Sequence, residues 1–165
     1  MNKSVLISIR PEWCEKIASG QKTIEIRKTR PKIETPFKCY IYQTRHKWVC
    51  SLLRILGKDG LAERLESEKG KVIGEFICNG MLSHCESSNA DLAEQQSCIK
   101  MDKLFDYAQG KELYGWHISD LVIYDKPKEL SEFKGRKLVW RGMNHIHDYE
   151  ILTRPPQSWC YVEEI

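Results

Sequence analysis

The chain has 165 residues, of which 41% are hydrophobic and 30% are charged, and this length suits one globular domain with a sizeable core. It has no run of about 18 apolar residues, so the composition excludes a membrane-spanning helix. The apolar stretch at its start is too short for a signal peptide. We therefore expect a single domain over residues 1–165 in the cytoplasm.

The first predicted elements are a strand, a helix and a second strand. Residues 4–9 are rich in β-branched side chains, which favours a strand. Pro11 suits a first helical position, and apolar pairs four residues apart predict a helix over residues 11–19 that Gly20 ends. A short apolar alternation then predicts a strand over residues 21–28.

The rest of the chain alternates between strands and helical stretches. Helical spacing of apolar residues predicts two insertions, at about 45–69 and 86–113. Residues 71–80 are apolar on both faces, which favours a central strand or one inside a closed barrel. The other predicted strands cover residues 37–43, 116–124 and 158–163. We therefore predict an α+β fold, a mixed β-barrel of five to six strands with peripheral helices and two helical insertions.

The charges are unevenly distributed along the chain. Residues 1–58 carry 13 basic and 4 acidic side chains, whereas residues 59–165 carry 13 and 19. A basic region can attract an anionic partner such as nucleic acid, although it is equally typical of a solvated surface.

The seven cysteines show neither a disulfide framework nor the paired short spacings of a zinc site. In a reducing compartment we expect most of them to be buried thiols. Some residues could still be drawn together as ligands, namely Cys78, His84, Cys85 and Cys98, or His145 with His147. We expect no metal and no cofactor.

The second predicted strand carries charged residues that its apolar alternation does not explain. Side chains repeat every two residues along a strand, so Glu25 and Arg27 share one face and Ile24 and Ile26 share the other. The isoleucine face is expected to face the core. The alternative for Glu25 and Arg27 is a surface ion pair worth roughly 0–1 kcal/mol.

Gly20, Lys22, Glu25 and Arg27 reproduce the pattern G-x-K-x-x-E-x-R, through which the chain resembles the ASCH domain, a branch of the PUA-like superfamily. The closest likeness is to small ASCH proteins of bacteria and phages. Four further segments resemble the family, at residues 8–13, 73–76, 116–121 and 155–162.

This resemblance implies a PUA-type barrel with a cleft beside the helix at 11–19, into which the charges of the motif point. Related PUA-like domains bind RNA, some ASCH proteins are ribonucleases, and one bacterial branch is an amidohydrolase acting on N4-acylated cytidine. The fold does not choose among these activities, because function belongs to the site.

The sequence departs from the amidohydrolase branch at one position. There the lysine of the motif assists a threonine nucleophile three residues further on, whereas here Lys22 is followed at that position by Glu25. Thr23 points to the other strand face. A carboxylate can act as a general base on water, so hydrolysis remains open while that covalent mechanism is disfavoured.

A second carboxylate, Glu75, lies between Ile73 and Ile77 in the apolar strand. Burial there is costly without a cationic partner, and we expect Lys22 or Arg27 to supply it. The alternative is that Glu75 lies at an edge of the sheet and is exposed to solvent. If the protein is an enzyme, the predicted acid/base set is Lys22, Glu25 and Glu75.

The predicted binding residues combine the charges of the motif with nearby aromatic side chains. Arg27 and Lys22 can hold a phosphate, and Glu25 can accept hydrogen bonds from a base. Aromatic rings can stack on that base, although core packing is the favoured explanation for Trp13 and Trp159. The full predicted set is Arg10, Trp13, Lys22, Glu25, Arg27, Tyr42, Ser158 and Trp159.

The leading hypothesis is a domain that binds RNA or a modified nucleoside, without a membrane and with an undetermined oligomeric state. One alternative is a hydrolase, either a ribonuclease or an amidohydrolase on a nucleobase derivative. A third is a phage or mobile-element protein that binds a host protein through its helical insertions.

Overall fold

The computed structural model describes residues 3–44, 55–57, 60, 70–83, 90–141 and 144–165. This part of the chain contains three α-helices, α1 (Pro11–Ala18), α2 (Ala90–Ser97) and α3 (Met101–Ala108). Its ten strands are β1 (Lys3–Ile9), β2 (Ile24–Arg27), β3 (Phe37–Gln43), β4 (Lys71–Cys78), β5 (Met81–Ser83), β6 (Tyr114–His117), β7 (Ser119–Glu129), β8 (Lys134–Arg141), β9 (Asn144–Ile151) and β10 (Trp159–Glu163). Most of the helical insertion predicted at 45–69 lies outside the described residues.

The strands form two sheets. The larger sheet has the order β7-β4-β3-β1-β10-β8-β9, in which β1 and β3 are parallel and the other neighbours are antiparallel. The smaller sheet has the order β2-β6-β5 and is antiparallel. None of the described helices is long and apolar enough to cross a membrane.

The α+β class is confirmed, but the predicted strand count was too low. Seven strands lie in the larger sheet and three in the smaller one, and the order of the described strands does not close into a barrel. The apolar character of β4 on both faces fits the other predicted alternative, a central strand. This strand lies inside an open sheet, between β3 and β7, and contributes to packed clusters on either side.

Three apolar clusters fill the space around the sheets. One joins Ile7 and Ile41 of the larger sheet to α1 and to Trp116 of the smaller sheet. The second covers the opposite face of the larger sheet and includes Tyr40 and Phe133. The third packs Ile24 and Ile26 of β2 against Leu104 and Leu113, which confirms that these isoleucines face a core.

The connection from α1 to β2 follows the predicted signals closely. Pro11 begins α1, and Gly20 follows the helix with a φ of 76°, a conformation that glycine adopts without steric cost. The Lys22 amide then donates to the Lys16 carbonyl at 3.0 Å, and the Thr23 amide to the Gln96 carbonyl at 2.9 Å. These bonds fix Lys22 between α1 and α2.

Candidate functional site

Lys22, Glu25 and Arg27, here called the charged trio, form one buried ion-pair cluster. Glu25 lies 3.3 Å from the Lys22 amine through Oε2 and 2.9 Å from the Arg27 guanidinium through Oε1. The exposed fractions of the three residues are 1% for Lys22, 6% for Glu25 and 9% for Arg27. A surface ion pair is therefore excluded as the explanation of this motif.

Lys22 is held from three sides. Its Nζ donates to the Ser97 carbonyl at 2.8 Å and also lies 5.1 Å from the centre of the Trp13 ring on α1. Burial lowers the pKa of the Lys22 amine, and the neighbouring Glu25 carboxylate opposes this shift without cancelling it. The amine is therefore closer to neutrality than a surface lysine, and its position is fixed.

Arg27 ties β2 to the start of β10. Its Nη2 donates to the Ser8 carbonyl at 2.7 Å, and its Nη1 makes a long contact of 3.4 Å with the Ser158 hydroxyl. The Ser8 hydroxyl donates to the Pro156 carbonyl at 2.7 Å, which holds the segment before β10 in place. The Nε–H of Arg27 is buried and has no hydrogen-bond partner among the described residues.

Three aromatic rings contact one another in succession, beginning next to the charged trio. They are Trp116, Trp159 and Tyr161, here called the aromatic row. Trp116 is the cross-strand partner of Glu25 and therefore lies on the same face of the smaller sheet. The Trp116 and Trp159 rings are 5.9 Å apart, and the Trp159 and Tyr161 rings are 5.4 Å apart, all edge to face. Trp159 and Tyr161 remain partly exposed, whereas Trp116 is fully buried.

A model of the ASCH domain family matches residues 7–129. The chain belongs to the ASCH domain family. The resemblance found in the sequence motif is thereby confirmed. The match ends before β8, so the β8–β9 hairpin and β10 of this ASCH protein lie outside it.

Solved structures show the same fold at low sequence identity. ASCH from Zymomonas mobilis has a TM-score of 0.56 and 20% identity, over 77% of this chain and 73% of that chain. A serine-to-alanine variant of that protein has a TM-score of 0.63 and 18% identity, over 98% of this chain and 89% of that chain. A sequence search of curated proteins gives no significant match.

Glu75 does not join the charged trio of this ASCH domain, so its expected pairing with Lys22 or Arg27 was wrong. It lies 3.1 Å from the Lys38 amine and accepts a short hydrogen bond from the Tyr124 hydroxyl. Its cross-strand partner is Tyr40, which belongs to the cluster on the other face of the larger sheet.

The pairing of Glu75 accounts for its charge state. Burial alone would raise the pKa of the Glu75 carboxyl, but hydrogen bonds from Tyr124 and Lys38 outweigh it and hold the pKa below its usual value. Burial and the same carboxylate raise the pKa of the Tyr124 hydroxyl. Both groups therefore keep their ordinary charge states at neutral pH and form a structural pair.

The other predicted binding residues divide into two groups. Trp13 contacts Lys22 and Ser158 contacts Arg27, whereas Trp159 packs on Trp116, the cross-strand partner of Glu25. Arg10 is exposed and its nearest acidic partner is Glu12 at 3.9 Å. Tyr42 is 5% exposed and packs in the cluster around Tyr40, away from the trio.

Sequence reasoning missed three partners of the trio. The Ser8 and Ser97 carbonyls accept its hydrogen bonds, and any residue type could supply a backbone carbonyl, so the sequence carried no signal for them. Trp116 was assigned only to a strand. Trp116 stands two residues before Ile118 in a segment that resembles the ASCH family, and this likeness was a usable signal for a site residue. Assigning Trp116 to the site also required its cross-strand pairing with Glu25, which the sequence does not give.

The cysteines of the described part are mostly unreactive. Cys14, Cys39 and Cys78 are buried, and burial raises the pKa of Cys78 and of Cys160 to about 11. Thiols with raised pKa values are poor nucleophiles at neutral pH. Within the described ranges no three His, Cys, Asp or Glu side chains are grouped as a metal site would need.

Proposed function

We propose that the charged trio and the aromatic row bind RNA or a modified nucleoside. The observation that carries this proposal is the position of the Arg27 guanidinium, whose Nη1 makes only a long contact of 3.4 Å with Ser158, the residue directly before the partly exposed Trp159. A guanidinium donor that is only weakly used gains a strong charge-assisted hydrogen bond when a ligand supplies an acceptor.

The charges of the trio favour an acceptor-rich ligand. Two cationic side chains surround one carboxylate, and all three are almost fully buried. The Nη1 contact of Arg27 with Ser158 is long, at 3.4 Å, so a second donor on the same guanidinium is only weakly used. Phosphate oxygens and nucleobase carbonyls are the acceptors that a planar guanidinium recognises best.

The roles of the trio differ because their accessibility differs. The Lys22 side chain is 0% exposed and the side chains of Glu25 and Arg27 are 8% and 10% exposed. Arg27 and Glu25 are therefore the groups that contact the ligand, and Lys22 positions Glu25. Trp159, which is partly exposed and follows Ser158 directly, provides the surface on which a base stacks.

The test of this function is the substitution Arg27→Lys, which keeps the charge but removes the fork of donors. Binding of fluorescent single-stranded RNA and of nucleoside monophosphates is measured by anisotropy at two salt concentrations. We expect wild type to bind with affinity that falls as salt rises. Arg27→Lys is expected to weaken binding about tenfold or more, because an ammonium does not offer the planar set of donors of a guanidinium.

The matched control is Arg154→Ala, which removes an exposed arginine in the segment just before β10. Its affinity should stay within about twofold of wild type. Thermal unfolding of each variant separates a binding defect from a folding defect. Binding that is unaffected by Arg27→Lys in a folded protein would overturn the proposal, as would the absence of binding by wild type.

A second candidate, a hydrolase on RNA or on an acylated nucleobase, is favoured by one observation. Because burial lowers the pKa of Lys22, more of its amine is neutral and able to accept a proton at pH 7 than in an ordinary lysine, and it contacts Glu25. Since Glu75 is elsewhere, the acid/base set is reduced to Lys22 and Glu25. This candidate predicts cleaved RNA or deacylated cytidine, lost in Lys22→Met. It fails if wild type forms neither product.

A further inference from the structure

The two faces of the β8–β9 hairpin carry different charged residues. Directly paired residues of antiparallel strands share a face, so Lys137 and Asp148 lie on one side of the hairpin together with Glu150, the partner of Gly135. Lys137 is paired with Glu150 at 2.8 Å. Both acidic residues of β9 are therefore on this side.

The opposite side, here called the ribbon face, presents Arg136, Leu138 and Tyr149. Arg136 is the cross-strand partner of Tyr149, and neither strand contributes an acidic residue to this face. Leu138 is 53% exposed, which shows that its part of the face is uncovered. The face thus combines a cation with aromatic and apolar surface, a combination that suits stacked bases and phosphates.

The ribbon face is continuous with the aromatic row. The guanidinium of Arg136 lies 5.6 Å from the centre of the Tyr161 ring, and Tyr161 in turn packs edge to face on Trp159. The row therefore leads from Ser158, which contacts Arg27, to the hairpin. Lys134 on the same face is neutralised by Glu163 at 3.6 Å, so Arg136 is the cation that remains at the end of the row.

A second cationic residue, Lys32, is held next to the row through its backbone. The loop between β2 and β3 is fixed to the row by two hydrogen bonds, from the Trp159 indole to the Thr29 hydroxyl at 2.9 Å and from the Lys32 amide to the Tyr161 hydroxyl at 2.7 Å. The side chain of Lys32 is exposed. The backbone of Lys32 and the guanidinium of Arg136 thus both contact Tyr161.

We infer that the ligand is a single RNA strand several nucleotides long, which leaves the charged trio along Trp159 and Tyr161 and continues over the ribbon face. This inference rests on the proposed function and extends it, because the trio alone would accept a mononucleotide. Lys32 and Arg136 contact phosphates, and the partly exposed rings stack with bases. Most of this track lies in β8–β10, outside the stretch that matches the family.

The inference is tested with RNA of two lengths, a mononucleotide and an oligonucleotide of about 12 nucleotides, a length within the usual site sizes for single strands. Wild type should bind the longer RNA at least about tenfold more tightly. Arg136→Ala and Lys32→Ala are each expected to weaken binding of the longer RNA about three- to tenfold and to lower its salt slope by about one. Neither substitution should change binding of the mononucleotide.

The matched control is Lys137→Ala, which removes a cation from the same strand but from the opposite face. It should leave both affinities within about twofold of wild type. Equal effects of Arg136→Ala and Lys137→Ala on the longer RNA would overturn the inference, as would equal affinity of wild type for the two lengths. In either case mononucleotide binding that depends on Arg27 would leave the proposed function intact. If wild type binds neither RNA, both proposals fail.

Discussion

The substitution Glu25→Gln is expected to lower the free energy of unfolding by about 3 kcal/mol. Glu25 is the only carboxylate between Lys22 and Arg27 in the contacts described for the trio, and it accepts from both. Glutamine keeps the shape but leaves two buried cations without a counter-charge. Part of the cost is avoided because the pKa of Lys22 is already lowered by burial, so this amine can lose its proton. Urea unfolding at pH 7 measures the change.

Two further variants show whether the loss comes from stranded charge. Glu150→Gln removes one partner of the exposed Lys137–Glu150 pair and should cost about 0.5 kcal/mol or less. Adding Lys22→Met to Glu25→Gln should restore part of the stability, because one of the two cations is removed. If Glu25→Gln costs no more than Glu150→Gln, the trio does not stabilise the fold as an ion-pair cluster.

The substitution Gly74→Ala is expected to destabilise the larger sheet by about 3 kcal/mol, at the upper end of what overpacking costs. A Cβ at this position would lie 2.4 Å from the Val122 carbonyl oxygen and 3.2 Å from the Ile123 Cα. Both atoms belong to the backbone of β7, so they cannot move away without disturbing the pairing of β4 with β7. Thermal and urea unfolding measure the loss.

Gly135→Ala provides the matched comparison in the same sheet. There the Cβ would lie 2.5 Å from Leu152 Cδ2, which is the end of a flexible side chain and can rotate. We expect a cost of about 1 kcal/mol. Equal losses of stability for Gly74→Ala and Gly135→Ala would show that the close approach of the β7 backbone to Gly74 does not determine the cost of the substitution.

Local features of the fold could be predicted from the sequence because short-range physics decides them. Pro11 and Gly20 mark the limits of α1 through their backbone preferences, and strand alternation places Ile24 and Ile26 opposite Glu25 and Arg27. Alternation did not show that the charged face is also buried. That burial depends on the position of β1 and β10 against β2, which is a long-range contact.

The wrong prediction of the partner of Glu75 has the same cause, a dependence on long-range contacts. Alternation along β4 gives the face of Glu75 relative to Phe76, but not which layer covers each face. The register with β3 places Glu75 opposite Tyr40 and beside Lys38, and β7 contributes Tyr124. The predicted barrel failed for a similar reason, since strands apolar on both faces occur in open layered sheets as well as in closed ones.

The most direct test of the proposed site is the NMR signal of the Arg27 Nε–H group, assigned by its loss in Arg27→Lys. This group belongs to the guanidinium that the ligand is proposed to contact, so binding should change its surroundings even though the Nε atom itself is buried. We predict that titration with RNA moves this signal and slows its exchange with water as binding saturates. RNA binding that shifts other signals while the Arg27 Nε–H signal stays in place would contradict the assignment of this cluster as the binding site.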